Sequence, residues 1–458
     1  MAEYLNVTAP PSKSLSHRYV ICASLANGTS IIKNTLKSDD LTRTKIILEQ
    51  IGAKITETLQ NNNPNSETAH LSITGISGKI QNDNDKAIEC NVHESGTTCR
   101  LITAILASGI GKFRIYGSGR MPERPIKELT DALEGLGTKI TFEGNIGCPP
   151  ILLESHGLNP KSDNYSVHIG MDTSSQFFSG LLLASPMATK PISIELTGNK
   201  AVSWPYVALT LQCMQEFGIN FNVEYKNDIS EKWIETNQWQ TLRIAKPGCL
   251  KITVKQGIYK SGNYNIEGDW SGASYFLAAG ALGQRPIKIN NLKLSSLQGD
   301  RQMLTILENM GAKIKSTNDS VIVYPSNLHS ITVDMGDCPD LVPTVAMLAA
   351  FATGTTTITN IAHLKAKESD RIKAPAEELA KIGIKIEDTQ NSMSIIGNPN
   401  ITSIQSNQFS AHNDHRIAMS LALTDLRIKN CNIQKLIDQP NVVNKSFPNF
   451  WEIWNEIR

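Results

Sequence analysis

An α/β fold of two similar domains is predicted by three features of this 458-residue sequence. A polar or charged knot, an apolar helix of small residues, a turn and a β-branched strand return together six times, which marks a repeat architecture. A glycine set between an apolar helix end and a short strand returns five times, at Gly52, Gly137, Gly218, Gly311 and Gly383. The third feature is size: 458 residues exceed what one compact core usually holds, and 40% hydrophobic residues are enough to build two.

Each knot is read as a helix start, because Ser, Thr, Asp and Asn accept hydrogen bonds from the first unpaired N–H groups of a helix. In chain order the knots are Ser12-Lys13-Ser14, Glu94-Ser95-Gly96-Thr97-Thr98, Thr173-Ser174-Ser175-Gln176, Asp269-Trp270-Ser271-Gly272, Asp337-Cys338-Pro339-Asp340 and Asn413-Asp414-His415-Arg416. Between them the Asn-rich stretches Asn61-Asn62-Asn63-Pro64-Asn65 and Lys226-Asn227-Asp228 lack apolar periodicity and read as exposed loops. Helical crossovers favour parallel pairing and short Gly turns allow hairpins, so mixed sheets covering helices are expected. The boundary falls near Glu267-Gly268-Asp269, with three repeats on each side. A cleft between two such domains is the default ligand site.

Charge and composition narrow the function. Lys and Arg number 44 against 43 Asp and Glu, a net charge of +1 that provides no broad field for nucleic acid or an anionic membrane. No apolar run approaches the roughly 20 residues of a membrane span, and no secretory leader opens the sequence, so a cytoplasmic protein is expected. The eight cysteines form no CxxC pair and read as reduced core residues. His412 and His415 are a close pair near carboxylates but lack a further ligand set, so no metal is expected. No Walker pattern is present and Gly117-Ser118-Gly119 falls short of a dinucleotide fingerprint, so no nucleotide cofactor is expected.

The chemistry must therefore come from local clusters. Helix N-termini offer N–H groups and a positive dipole end to anions, and six brought together would make an anion trap. For the repeat alone, plain N-capping is the better explanation of the knots; only the charges within them point further. In Pro10-Pro11-Ser12-Lys13-Ser14-Leu15-Ser16-His17-Arg18, a point-charge lysine and a bidentate arginine flank three hydroxyls, an arrangement suited to phosphate. In Arg120-Met121-Pro122-Glu123-Arg124, one arginine can pair with Glu123 while the other meets an anion. In Lys365-Ala366-Lys367-Glu368-Ser369-Asp370-Arg371, helical spacing would put Lys367, Glu368 and Arg371 on one face as an acid–base set. Arg416 and Lys445 complete the basic residues beside turns.

Taken in order, PPSKSLSHR, ESGTTCR, GSGRMPERPI, DTSSQFFSGLL, EGDWSGASYFLAAG, CPDLVPTVA, KAKESDRI, NDHRIAM and NKSFPNF closely resemble the 5-enolpyruvylshikimate-3-phosphate synthases, over nearly the whole chain. The resemblance implies two domains, each of three βαβαββ units in an inside-out α/β barrel, with the active site in the interdomain cleft. It also implies a discontinuous second domain, 1–12 with 268–458, around a first of 13–267. The implied reaction moves the enolpyruvyl group of phosphoenolpyruvate to the 5-hydroxyl of shikimate 3-phosphate and releases phosphate. It needs no cofactor, and a monomer acting only on small molecules is expected.

Carried over by motif, Lys13, Ser14, Arg18, Ser174, Ser175, Gln176, Ser203 and Tyr206 are implied contacts to shikimate 3-phosphate, with Asp340, His363 and Lys367. Lys13, Gly96, Arg124, Gln176, Arg371, Arg416 and Lys445 are implied contacts to phosphoenolpyruvate. Asp340 is assigned as base, Glu368 as proton donor and acceptor at the methylene, and Lys13 as the group assisting phosphate departure. Glu94, His363 and Trp204 depart from the commonest pattern of the family. Two readings compete with this one. The sister transferase acting on UDP-N-acetylglucosamine usually carries a reactive Cys on a loop matching Gly117–Pro125, where none occurs here. The other is a non-catalytic binder of anions or RNA ends built on the same repeats; RNA ends would need a basic surface beyond one cleft, which the composition does not supply.

Overall fold

Five glycines end five helices in the same way. In the computed structural model, which describes residues 4–59, 68–163, 165–242 and 245–458, Gly52, Gly137, Gly218, Gly311 and Gly383 all have φ between 77° and 109°. They follow the helices Asp39–Gln50, Lys127–Gly135, Trp204–Glu216, Met303–Asn309 and Lys373–Ala380. In each, the N–H of the next residue returns to the carbonyl five residues back, from Ala53 to Leu48, Thr138 to Leu133, Ile219 to Met214, Ala312 to Leu307 and Ile384 to Leu379, at 2.9–3.1 Å. That Schellman closure needs a left-handed residue, which glycine adopts without a Cβ penalty. The five returning residues are all buried, so each turn also anchors the strand after it.

All six knots begin helices. Ser95, Asp269 and Asp414 cap theirs by accepting the N–H groups of Thr98, Gly272 and Arg416 at 3.2, 2.8 and 3.0 Å. Ser175 is the N-cap residue of Gln176–Ala184, Lys13 opens Lys13–Leu25, and Pro339–Leu341 leads as a 3-10 turn into Val342–Ala350. These helices are buried almost all round: eleven of thirteen residues in Lys13–Leu25 and twelve of thirteen in Trp270–Leu282. Small residues permit it, since a side chain at Gly180 would meet the carbonyl of Arg100 at 2.9 Å. The interior of each half is thus helical, and helices apolar on every face must be covered by other elements.

Two compact units divide the chain, 13–266 and 1–12 with 267–458. The first holds three mixed sheets. In strand order they are Asn263–Asn265, Thr29–Leu36, Thr68–Thr74, Lys54–Leu59; Ile88–His93, Ile110–Gly117, Ile151–His156, Lys139–Phe142; and Ile234–Thr236, Phe221–Tyr225, Leu250–Val254, Ile192–Ala201, Ser166–Met171. In each sheet one parallel pair adjoins an antiparallel set, as with Ile194 beside Val167 on one side and Ile252 on the other. The second unit holds two sheets, Leu5–Thr8, Ile287–Asn290, Ser320–Tyr324, Lys313–Ser316 and Thr332–Asp334, Gly354–Thr359, Ser392–Gly397, Lys385–Asp388. Its first parallel strand comes from the N-terminus, with Leu5 opposite Ile287.

Two details differ from the sequence reading. Among the described residues the sixth repeat keeps its capped helix, His415–Leu421, but its strand pairing is one parallel bridge between Phe409 and Ile437. Its packing instead comes from aromatic contacts, such as the stacked pair Phe450 and Trp454 at 5.6 Å. Glu267 falls with the second unit because its carbonyl accepts the Ser12 N–H at 2.8 Å and its carboxylate accepts the Gln298 amide at 2.9 Å. The Asn61–Asn65 stretch lies outside the described residues. No described helix is long and apolar enough to cross a membrane, and among the described residues the eight cysteines form no disulfide, six of them being buried.

Candidate active site

In the unit 13–266, three knots are joined by side-chain bonds. Lys13 Nζ lies 2.5 Å from Asp40 Oδ2. The Asp40 carbonyl accepts from Thr98 Oγ1 at 3.2 Å, and Thr98 also meets Ser95 Oγ at 2.7 Å and Thr44 Oγ1 at 2.8 Å. The first knot is thereby tied to the second. Gln176 ties in the third, donating its Nε2 to Thr97 Oγ1 at 3.1 Å, while its backbone N–H reaches Ser174 Oγ at 3.2 Å. Three helix starts are thus linked by bonds that run from Lys13 through Asp40 to the other two knots, and each carries the positive end of a helix.

Gly96 opens the helix Gly96–Ala107 against two guanidinium groups. A Cβ there would stand 2.4 Å from Arg100 Nη1 and 2.4 Å from Arg124 Nη2, which only glycine avoids. Both arginines are buried, 3% and 6% exposed. Arg124 donates to the Glu94 carbonyl at 3.0 Å and Arg100 to the Pro125 carbonyl at 2.9 Å. Arg120 is the exposed partner of Glu123 at 3.4 Å, so the paired and the inward arginine are now distinguished. Arg100 was given no role by its sequence, although it stands inside ESGTTCR, because its spacing from Arg124 gives no sign that the two meet.

Arg18 is a buried crosslink. Its Nε donates to Thr210 Oγ1 at 2.8 Å, Nη1 to the Ser14 carbonyl at 2.9 Å, and Nη2 to the Tyr206 carbonyl at 3.0 Å and Ser179 Oγ at 3.4 Å. It therefore holds the starts of two helices to the first knot. Ser203 is buried at φ 59° ahead of the helix Trp204–Glu216, and Tyr206 lies in that helix's first turn. Trp204 is a packing residue, its indole N–H donated to the Leu242 carbonyl at 2.9 Å. The carboxylate of Glu94 lies against the left-handed Gly119, where a Cβ would stand 1.9 Å from Oε1.

In the other unit the cluster is built on Arg371, 1% exposed. Its Nε donates to Asp414 Oδ2 at 2.7 Å, its Nη1 to Asp340 Oδ1 at 2.8 Å, and its Nη2 to Glu368 Oε2 at 2.5 Å and Asp414 Oδ1 at 3.0 Å. Arg416 takes the second oxygen of Asp340 at 2.6 Å and also bonds Ser271 Oγ. Ser369 Oγ donates to Asp414 at 2.9 Å, and Lys445 Nζ reaches the carbonyl and side-chain oxygen of Asn413 at 2.8 and 3.2 Å. Burial works to raise the Asp340 carboxyl, but Arg416, Arg371 and Lys367 outweigh it and hold it far below the ordinary carboxylate range. The same balance pushes Arg371 up, because burial is outweighed by Asp414, Glu368 and Asp340.

The segment 367–371 is a turn rather than the helix its spacing suggested. Asp370 Oδ1 accepts the N–H groups of Ile372 and Lys373 at 3.0 and 3.2 Å, which delays the helix to Lys373. Short polar side chains compete for backbone partners in this way. Glu368 and Arg371 still meet, across the turn. His363 is buried in the 3-10 turn Ala362–Ala366, and Lys367 follows it, partly buried. Asp414 and Ser271 joined the cluster without a sequence assignment; both stand within knots and were read there only as capping chemistry. Chemically, the first cluster gathers fixed donors suited to phosphate or carboxylate oxygens, whereas in the second the guanidinium groups are shared with the carboxylates of Asp340, Glu368 and Asp414.

A profile of the family described as EPSP synthase (3-phosphoshikimate 1-carboxyvinyltransferase) matches residues 5–454. The 3-phosphoshikimate 1-carboxyvinyltransferase of Shewanella loihica is 34% identical over 446 residues, covering 97% of this chain and 95% of that one. That of Methanospirillum hungatei is 36% identical over 448 residues, covering 97% and 94%. A solved structure of EPSP synthase from Acinetobacter baumannii matches with a TM-score of 0.74 at 23% identity, over 100% of this chain and 96% of that one, and shows that the fold is shared.

Proposed function

The chain belongs to the EPSP synthase (3-phosphoshikimate 1-carboxyvinyltransferase) family, and on that premise we propose which of its residues carry the reaction. The enzyme transfers the enolpyruvyl group of phosphoenolpyruvate to the 5-hydroxyl of shikimate 3-phosphate and releases inorganic phosphate, a step of the shikimate pathway. One observation carries the assignment: relatives named for this activity align over 97% of the chain.

Shikimate 3-phosphate is held by Lys13, Ser14, Ser174, Ser175, Gln176, Ser203 and Tyr206, with Arg18 setting the frame from inside, and by Asp340, His363 and Lys367. Phosphoenolpyruvate is held by Lys13, the backbone at Gly96, Arg124, Gln176, Arg371, Arg416 and Lys445. Arg100, which presses on Gly96 beside Arg124, joins this set. Many fixed cations at one anion supply the charge stabilisation that the transfer needs.

Two proton transfers are required, one onto the methylene carbon and one from the 5-hydroxyl. Glu368 serves the methylene and Asp340 the hydroxyl. With both oxygens bound by guanidinium groups, Asp340 is a weak base. An anionic substrate drawing Arg371 and Arg416 toward itself restores its basicity, so base strength follows occupancy. Lys13 then stabilises the departing phosphate. The enzyme works as a cytoplasmic monomer with no metal or organic cofactor, so activity should persist in chelator, and a sedimenting mass of two chains would remove the monomer from this reading.

Glu368→Gln tests the roles. Turnover should fall by about 10²–10⁴-fold, the usual contribution of a positioned acid or base, while calorimetry still records shikimate 3-phosphate binding. Near-normal turnover would remove Glu368 from the chemistry.

A further inference from the structure

The turn Ser410–Asn413 leads into the charged cluster at Asp414. His412 and Asn413 are both left-handed, at φ 50° and 53°, an uncommon conformation that His and Asn adopt more readily than most L-residues. The turn's products are the residues that the proposed reaction uses. Asn413 presents two oxygens to Lys445, and Asp414 holds Arg371 and caps the helix bearing Arg416.

Two carboxylates hold the turn in place. Asp438 accepts Ser410 Oγ and the Ala411 N–H, each at 2.8 Å. Glu378, 1% exposed on the helix Lys373–Ala380, accepts the Ser410 N–H at 3.0 Å and His412 Nε2 at 2.8 Å. That helix is the one that follows the Glu368–Arg371 turn, so the Glu378 bonds fix one loop of the cluster against the other. We propose that His412 is a positioning residue, whose ring bond to Glu378 sets the left-handed turn and through it the Asn413 oxygens and the Asp414 carboxylate.

The charged groups facing the ring are Glu378, Glu377 at 3.8 Å, and Lys381. Glu377, Glu378 and His412 have spacing that could hold a metal ion. Lys381 Nζ, however, lies 2.9 and 2.8 Å from the two Glu378 oxygens, so a cation already serves that carboxylate. The bond from Glu378 raises the His412 pKa above its ordinary 6.5. The ring contribution is therefore complete below that value and is lost as pH rises through the raised one.

This inference rests on the reading that Arg371, Arg416 and Lys445 bind phosphoenolpyruvate. The test compares His412→Ala and His412→Gln with the wild type, measuring kcat and KM for both substrates from pH 6 to 9. His412→Ala should raise KM for phosphoenolpyruvate about tenfold while KM for shikimate 3-phosphate changes less than about twofold. The wild type should show an alkaline rise in KM, and Gln, which can donate to Glu378 without titrating, should restore KM to within about threefold of wild type and flatten that rise. An unchanged KM in His412→Ala overturns the proposal. So does an equal rise for both substrates that Gln does not rescue, because that is general destabilisation. The ring's own titration by NMR separates the two claims. It should run above 6.5 in the wild type and fall back in Glu378→Gln whether or not the protein turns over, and its failure to move would sink the latch while leaving the reaction standing.

Discussion

At Gly96 a single carbon decides whether two arginines can stay where they are. Alanine there would stand 2.4 Å from each guanidinium, a separation real Cβ atoms do not tolerate, so Arg100 and Arg124 would have to swing away. Gly96→Ala should raise KM for phosphoenolpyruvate about tenfold, equivalent to about 1.4 kcal/mol, with KM for shikimate 3-phosphate unchanged. Glyphosate inhibition should weaken in the same variant; inhibition as potent as in the wild type would contradict this placement of the pocket. Gly96 and Arg124 could be found in the sequence because both sit in motifs with an evident turn or charge. Arg100 and Asp414 could not, since an arginine inside a helix and an aspartate before one are equally ordinary as packing and capping residues. Only the fold shows that Arg371 has both Asp414 oxygens within 3.0 Å.

The helices depend on one another through small polar links. His17, in the buried helix Lys13–Leu25, meets Thr44 Oγ1 at 2.8 Å, and Thr44 meets Thr98 at 2.8 Å, which joins three helices in one chain of bonds. Burial first, then the charges of Lys13 and Arg18, push the His17 pKa well below 6.5. In the unfolded chain the ring takes up a proton near 6.5 and in the folded chain it does not, so stability present at higher pH is lost as pH falls through that range. Urea midpoints should drop more steeply for the wild type than for His17→Gln below about pH 6.5, by up to about 1.4 kcal/mol per pH unit. Parallel slopes would mean that His17 is protonated in the fold or fully relaxed by its neighbours. At this scale the sequence was clearest where one residue type has one physical use. The five turn glycines all proved left-handed, and all six knots became helix starts. The 367–371 turn was misread as helix because charge spacing says nothing about Asp370 competing for backbone N–H groups. The weak pairing of the sixth repeat had a trace in the sequence, since no turn glycine follows the sixth knot.

On the scale of the molecule, each of the two repeated units carries a local cluster of cations while the net charge is only +1. Elsewhere cations are balanced, as in Arg114 with Glu89 and Glu143 at 2.9 and 2.7 Å. Such a chain has little field for polyanions. The near-neutral charge, the repeat count and a boundary near Glu267 were legible from residues alone, whereas the tie of Glu267 to Ser12 and Gln298 is a long-range contact that no local pattern carries. The central claim, that these clusters serve enolpyruvyl transfer to shikimate 3-phosphate, is tested most directly by phosphate release. Purified protein given phosphoenolpyruvate should release inorganic phosphate with shikimate 3-phosphate as acceptor and none with UDP-N-acetylglucosamine. Release only with the sugar nucleotide, or with neither acceptor, would contradict it.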